Sequence, residues 1–202
     1  MASGVREGSA PTCGGQESMP EAASPEGPAG VDTAVLGRLR EGDRSAFETV
    51  LRAYHPVIFR FAARMLGDPD TAADITQQTF VRLHRFRRRI DPRRGVSSWL
   101  FTVAQNLCTG HLRRRGVEAR VVRRLKPSVV RDPAEGVATG EAVRGALASL
   151  PLDQRAVTIL REYHGFTHEE IARIVGCSPG AARVKAHRAR ERLKELLRDA
   201  LE

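Results

Sequence analysis

Residues 183–190 hold Arg183, Lys185, His187, Arg188 and Arg190 and no carboxylate. Side chains of this kind do not make or break bonds on a substrate. They donate to phosphate oxygens and to the base edges of nucleic acid, and Arg does so with a planar, two-pronged donor set. Alternating signs, the mark of a helix face that is merely solvated, begin only with Glu191 and Glu195. The groups that covalent chemistry requires are not assembled: the sequence shows no Gly-rich phosphate loop, no nucleophile with a matching base and no metal-ligand cluster. His164, His168 and Cys177 come nearest to a zinc set, but Gly165 breaks the helical spacing of the two histidines and no fourth ligand is evident. Neither a metal nor a cofactor is expected, and the protein is expected not to be an enzyme.

The basic run must be held by a rigid element, and the preceding residues specify one. Thr167-His168-Glu169-Glu170 has the pattern of a capping box, opening a helix that buries Ile171, Ile174 and Val175. Gly176 permits a tight turn, Ser178 caps the next helix, and Pro179 occupies its first position, where a missing N–H costs nothing. Two capped helices three residues apart predict a helix-turn-helix. At 3.6 residues per turn, Ala182, Ala186, Ala189, Leu193 and Leu196 form the packing stripe. Arg183, His187, Arg190 and Lys194 form another stripe, with Lys185, Arg188 and Arg192 beside it, as entry into a major groove demands.

Upstream, apolar residues recur at three and four, Asp or Ser precedes each run, and β-branched alternation is absent, so the chain reads as all-α. Asp32 is expected to cap a short helix through Leu39. Ser45 is expected to cap a second, directing Phe47, Val50, Leu51, Tyr54, Ile58, Phe61 and Met65 to a core, with Pro56 kinking or splitting it. A third helix runs to about Phe86 and buries Ala72, Ile75, Thr79, Leu83 and Phe86; a fourth starts at Ser97 or Ser98 and carries Leu100, Val103, Ala104 and Leu107 on one side. The expected organisation is a disordered acidic tail over 1–30, a helical domain over 31–115, a flexible linker over 116–138 and a second small helical domain over 139–202. The tail's Glu7, Glu17, Glu21 and Glu26 against Arg6 disfavour DNA contact there.

Whole-chain charge agrees with a polyanionic partner: 33 Lys and Arg against 24 Asp and Glu give +9. Residues 82–94 hold seven Arg and one Asp, and residues 111–131 hold seven Arg and one Lys against one Glu, giving the first domain its own basic surface. No apolar run reaches the roughly 20 residues of a membrane span and no signal peptide is written at the start, so no membrane insertion and a cytoplasmic location are expected. Cys13, Cys108 and Cys177 are odd in number and widely spaced, which leaves no disulfide framework.

Leu150-Pro151, Arg155, Gly165-Phe166-Thr167, Glu170-Ile171-Ala172, Gly176 and His187-Arg188-Ala189-Arg190 together resemble the C-terminal promoter-binding region of extracytoplasmic-function sigma factors. Asp74-Ile75-Thr76-Gln77-Gln78-Thr79-Phe80 resembles the segment with which that family grips the RNA polymerase clamp, and Trp99-Leu100 followed by Asn106 resembles its minus-ten region. The resemblance spans about residues 33–197. It departs from the family's habit at Gln78, usually an acid, at Gly110, often Asp, and at Ala181-Ala182-Arg183-Val184, often Thr-Val-Lys-Ser.

The resemblance implies an alternative sigma factor that joins core RNA polymerase through the clamp of its largest subunit, binds promoter DNA and helps to open it, in many relatives under an anti-sigma factor. It implies core contacts at Asp74, Gln77 and Phe80, minus-ten contacts at Asn106, Arg113, Arg114 and Arg115, and minus-thirty-five contacts at Arg183, Lys185, His187, Arg188 and Arg190. Core packing competes with function at Phe80, and at Trp99 it is the preferred reading. The rival reading is a two-domain regulator that binds an operator without polymerase; it calls for a dimer helix or ligand pocket, and the sequence shows neither.

Overall fold

The computed structural model describes residues 31–91, 95–121 and 137–201. Among these residues the architecture is all-α: α1 (Thr33–Glu41), α2 (Arg44–Leu66), α3 (Pro69–Phe86), α4 (Ser97–Val121), α5 (Val137–Ala148), α6 (Leu152–Thr158), α7 (His168–Val175) and α8 (Pro179–Leu201). A 3-10 turn follows α3 and a π-helical turn, Ile159–Tyr163, extends α6. The expected tail, and residues 122–136 of the expected linker, lie outside the described residues. α4 continues to Val121 and α5 begins at Val137, so helix occupies both ends of the segment read as linker.

Carboxylates start the first three helices. Asp32 Oδ1 accepts from the Val35 amide at 2.8 Å. Asp43, not Ser45, caps α2: its carboxylate accepts from the Ser45 amide at 2.7 Å, the Ala46 amide at 3.3 Å and the Ser45 hydroxyl at 2.9 Å. Ser45 lies one residue inside the helix, so its hydroxyl donates to the cap instead of serving as one. These Ser45 and Ala46 bonds lower the Asp43 pKa, with a smaller contribution from Arg38. Asp68 accepts from the Thr71 hydroxyl and amide, and Pro69 stands in the first turn. α2 runs through Pro56 as one helix, held to the same core by Val50 and Tyr54 before it and by Ile58 and Phe61 after it.

Burial narrows the expected core: Phe47, Leu51 and Leu107 pack against its edge without being covered. Phe47 and Leu51 are only half-buried and wall a surface groove, and Phe86 is half-buried at the end of α3. On α4 the fully covered residues include Phe101 and Cys108 besides Leu100 and Ala104, whereas Val103 and Leu107 are half-exposed. The reason is that the stripe packed against α2, α3 and α7 is the one carrying Leu100, Phe101, Ala104 and Cys108, with Val103 and Leu107 at its margin. Burial also pushes the Cys108 thiol up to about 12, which leaves it protonated and inert.

The two helical halves meet in an aromatic cluster. The Phe101 ring lies 4.7 Å from His164, 4.9 Å from Phe166 and 5.3 Å from Phe61, all edge-to-face. Arg64 of α2 stacks over the Tyr163 ring at 4.0 Å. His164 is 3% exposed, and neither ring nitrogen has a hydrogen-bond partner. Burial, reinforced by the Arg64 and Arg60 charges, lowers its pKa to about 3. A histidine held neutral in the fold binds fewer protons than the unfolded chain, so its contribution to stability is full above the unfolded value of about 6.5 and falls as pH drops towards 3. Between pH 7.5 and 5 this single group is expected to cost about 2 kcal/mol of unfolding free energy. Urea titrations of wild type and His164→Phe at both pH values check this: the variant should lose most of that difference, and equal losses in both proteins refute the assignment.

Candidate nucleic-acid interface

The C-terminal half builds its interface from the capped turn. Thr167 Oγ1 accepts from the Glu170 amide at 3.3 Å while Glu170 Oε2 accepts from the Thr167 amide at 2.8 Å, a complete capping box. Gly176 closes α7 at φ 75°, a left-handed conformation that suits glycine. Ser178 Oγ then accepts from the Ala181 amide at 3.2 Å, and α8 begins. Ile171, Ala172 and Ile174 of α7 and Ala182 and Ala189 of α8 are buried, so α8 is seated by alanines that let the backbones approach.

Seating α8 in this way divides its basic residues into two groups. Lys185 Nζ lies 2.9 Å from Asp153 of α6, and Arg190 Nη2 lies 3.0 Å from Glu162 of the π-helical turn. These two cations brace the helix against its own domain. Arg183, His187 and Arg188 are exposed and take no part in these two pairs, Arg183 standing two turns before Arg190 on one stripe, and Val184 lies among them, 49% exposed. Further along, Arg192 pairs with Glu195 and Lys194 with Glu191. Hydrogen bonding from Lys194, followed by its charge, lowers the Glu191 pKa. Sequence reading missed Asp153 and Glu162 as partners because they stand 32 and 28 residues from their cations.

In the first half, Asp74, Gln77 and Gln78 are exposed along α3, followed on the same side by Val81, Arg82 and Arg85. Phe80 points the other way: it is 4% exposed and stacks on His55 with ring centroids 6.1 Å apart. Val81 was not singled out by sequence, yet it is 60% exposed. It borders two grooves, one of about 400 Å³ walled by Phe47, Leu51, His55, Gln77, Phe80 and His84, the other of about 750 Å³ walled by Gln77, Gln78, Arg82, Arg85, Phe86, Trp99 and Val103. Its signal was its register: Val81 falls off the stripe of Ile75, Thr79 and Leu83, where an apolar residue marks a contact surface rather than a core.

Trp99 is half-buried and open to the larger groove. The guanidiniums of Arg85 and Arg89 approach the Phe86 ring to 5.5 and 5.3 Å beside it. Helical spacing continues Trp99 and Val103 through Asn106 to Arg113. Asn106, Arg113, Arg114 and Arg115 are all exposed, and the Arg115 charge reaches Asp68, whose carboxyl is lowered mainly by its Thr71 bond. Arginines and an amide exposed on one helix, with half-buried aromatic rings at its start, are groups of the kind that hold phosphates and stack bases.

A two-part helical protein with a helix-turn-helix in one half and a second basic ridge in the other has the build of a DNA-binding protein. The comparisons make the class specific. The Sigma-70 region 2 family matches residues 50–117, and the Sigma-70, region 4 family matches residues 140–193. The chain is 35% identical to RNA polymerase sigma factor CarQ of Myxococcus xanthus, covering 80% of this chain and 95% of that protein. It is 32% identical to ECF RNA polymerase sigma factor SigM of Mycobacterium tuberculosis, covering 82% and 84%. Among solved structures it is similar to the sigma factor RpoE of Bartonella quintana in complex with the anti-sigma factor NepR, with TM-score 0.68, 31% identity, and 75% of this chain and 96% of that chain covered. It is also similar to CnrH in complex with the cytosolic domain of CnrY, with TM-score 0.64 and 27% identity, covering 84% and 98%. The chain belongs to the extracytoplasmic-function sigma factors of RNA polymerase. It is an alternative sigma factor that directs promoter recognition and transcription initiation, and none of its described helices is long and apolar enough to cross a membrane.

Proposed function

We propose that this sigma factor joins core polymerase through the exposed side of α3 and contacts its promoter at two separate surfaces, performing no covalent chemistry itself and working in the cytoplasm. The observation that carries this reading is the unpaired basic face of α8 behind a fully capped turn, in the same chain as the Asp74–Val81 surface. Asp74 and Gln77 offer an acid and an amide to a basic clamp, with Val81 supplying apolar contact between them and the grooves. Phe80 acts from beneath, setting the floor of the smaller groove through its His55 stack. Asn106 and Arg113 to Arg115 take the minus-ten element. Arg183, His187 and Arg188 take the minus-thirty-five element, with Lys185 and Arg190 nearer its phosphate flanks. The domains that divide this work are residues 31–115 and 139–202, and the 116–138 segment sets their reach. The solved relatives in complex with anti-sigma partners support a partner of that kind here.

Runoff transcription with bacterial core polymerase on a library of promoter fragments tests the proposal. Wild type should initiate from a defined subset, and Asp74→Ala with Gln77→Ala should cut initiation about tenfold, equivalent to roughly 1.4 kcal/mol of core affinity. Core binding unchanged by the double variant would remove α3 from the polymerase interface. Specific duplex binding by the protein alone, without core association or initiation, would favour an operator-binding regulator.

A further inference from the structure

Among the described residues two large apolar side chains are strongly exposed, Val81 and Val184. A lone exposed valine requires no explanation, but Val184 does not stand on an arbitrary face. It lies in the second turn of α8, next to Arg183 and one turn before His187 and Arg188, all exposed, while Lys185 is turned aside to Asp153. One turn earlier on the same face is Gly180, also exposed, where even an added Cβ would meet nothing within 4 Å. The helix therefore presents a bare backbone step leading to two rigid methyl groups, flanked by the guanidiniums of Arg183 and Arg188. β-Branching fixes χ1 in a helix, so those methyls are already ordered before any contact. In a major groove the one apolar feature a base pair displays is the thymine 5-methyl group, and small apolar side chains near the start of a recognition helix read it.

We infer that Val184 is a specificity-determining residue that reads a thymine methyl group in the minus-thirty-five element. The inference rests on the proposed minus-thirty-five role of α8 and deepens it. Arg183 and Arg188 on either side of Val184 supply the charge complementarity that selects DNA as the occupant of this apolar spot, with the His187 ring beside them as a hydrogen-bonding group.

The test uses reconstituted holoenzyme on a promoter recovered from the library. Each thymine of the minus-thirty-five region, on either strand, is replaced in turn by deoxyuridine, which lacks only the methyl group. Wild type is expected to lose about three- to fivefold in initiation at one position, the loss of one buried methyl contact. Val184→Ser should make thymine and deoxyuridine equivalent there, with its melting temperature unchanged because the side chain is exposed. Three results overturn the inference: no deoxyuridine position affecting wild type, Val184→Ser retaining the full discrimination, or Val184→Ser lowering initiation equally on both templates, which would assign the valine to a protein contact. Absence of any core-dependent initiation would instead strike at the sigma reading itself, and so is distinguishable from failure at Val184.

Discussion

Replacing Arg155 by alanine is expected to destabilise the protein by about 3–5 kcal/mol, the scale for leaving two or three buried acceptors unsatisfied at about 1–3 kcal/mol each. Arg155 is 8% exposed. Its Nε donates to the Leu147 carbonyl at 2.9 Å, Nη1 to the Met65 carbonyl at 2.7 Å, and Nη2 to the Ala148 carbonyl and, at 3.4 Å, to the Leu150 carbonyl. Met65 stands in the last turn of α2, and Leu147 and Ala148 end α5, so one guanidinium satisfies the orphan carbonyls of two helices and meets the negative ends of both dipoles. Burial lowers its pKa, but a guanidinium stays cationic in proteins. Alanine would strand the Met65 and Ala148 carbonyls in a low-dielectric site, while the Leu147 carbonyl would keep only the Leu150 amide, at 3.1 Å. Lysine, a point donor without the fork, should recover only part of the loss. Urea unfolding measures both variants. A loss below about 1 kcal/mol for Arg155→Ala would mean that water replaces the guanidinium at little cost, and the clasp would lose its structural role.

The second large effect is on promoter recognition. Arg183→Ala with Arg188→Ala should reduce initiation about a hundredfold at promoters that depend on the minus-thirty-five element, since each correct Arg contact contributes about 1–3 kcal/mol. Lys185→Ala or Arg190→Ala should cost about threefold at most, because in the free protein those cations occupy exposed pairs with Asp153 and Glu162. Salt dependence separates the roles: a residue that holds phosphate lowers the slope of affinity against salt by about one when removed, whereas a base contact mainly relaxes sequence preference. Larger losses at Lys185 and Arg190 than at Arg183 and Arg188 would show that the paired cations leave Asp153 and Glu162 to hold DNA, and would remove Arg183 and Arg188 from the reading surface.

Local chemistry was legible without coordinates. The Thr167 to Glu170 box, the Gly176 turn and the Ser178 cap involve partners within a few residues, so the chain order carries them directly. The Asp32 cap and the period of the helical runs are equally local. The Ser45 assignment failed by two residues because Asp43 and Ser45 are both competent caps and only the helix start distinguishes them. Phe47 and Leu51 were read as core because periodicity records which side of a helix is apolar, not whether another element covers it.

The sequence by itself therefore determined the all-α class, the helix-turn-helix and the family to which the chain belongs. Each follows from short-range spacing or from motifs in order. Tertiary structure decided which basic residues of α8 pair with carboxylates of their own domain and which stay exposed, that Phe80 lies beneath the surface while Val81 stands on it, and that His164 is buried between Phe61 and Phe101. Those outcomes depend on contacts between residues far apart in the chain, such as Arg155 with Met65, 90 positions away. Such contacts form only when helix packing brings the elements together, and no local pattern encodes that packing.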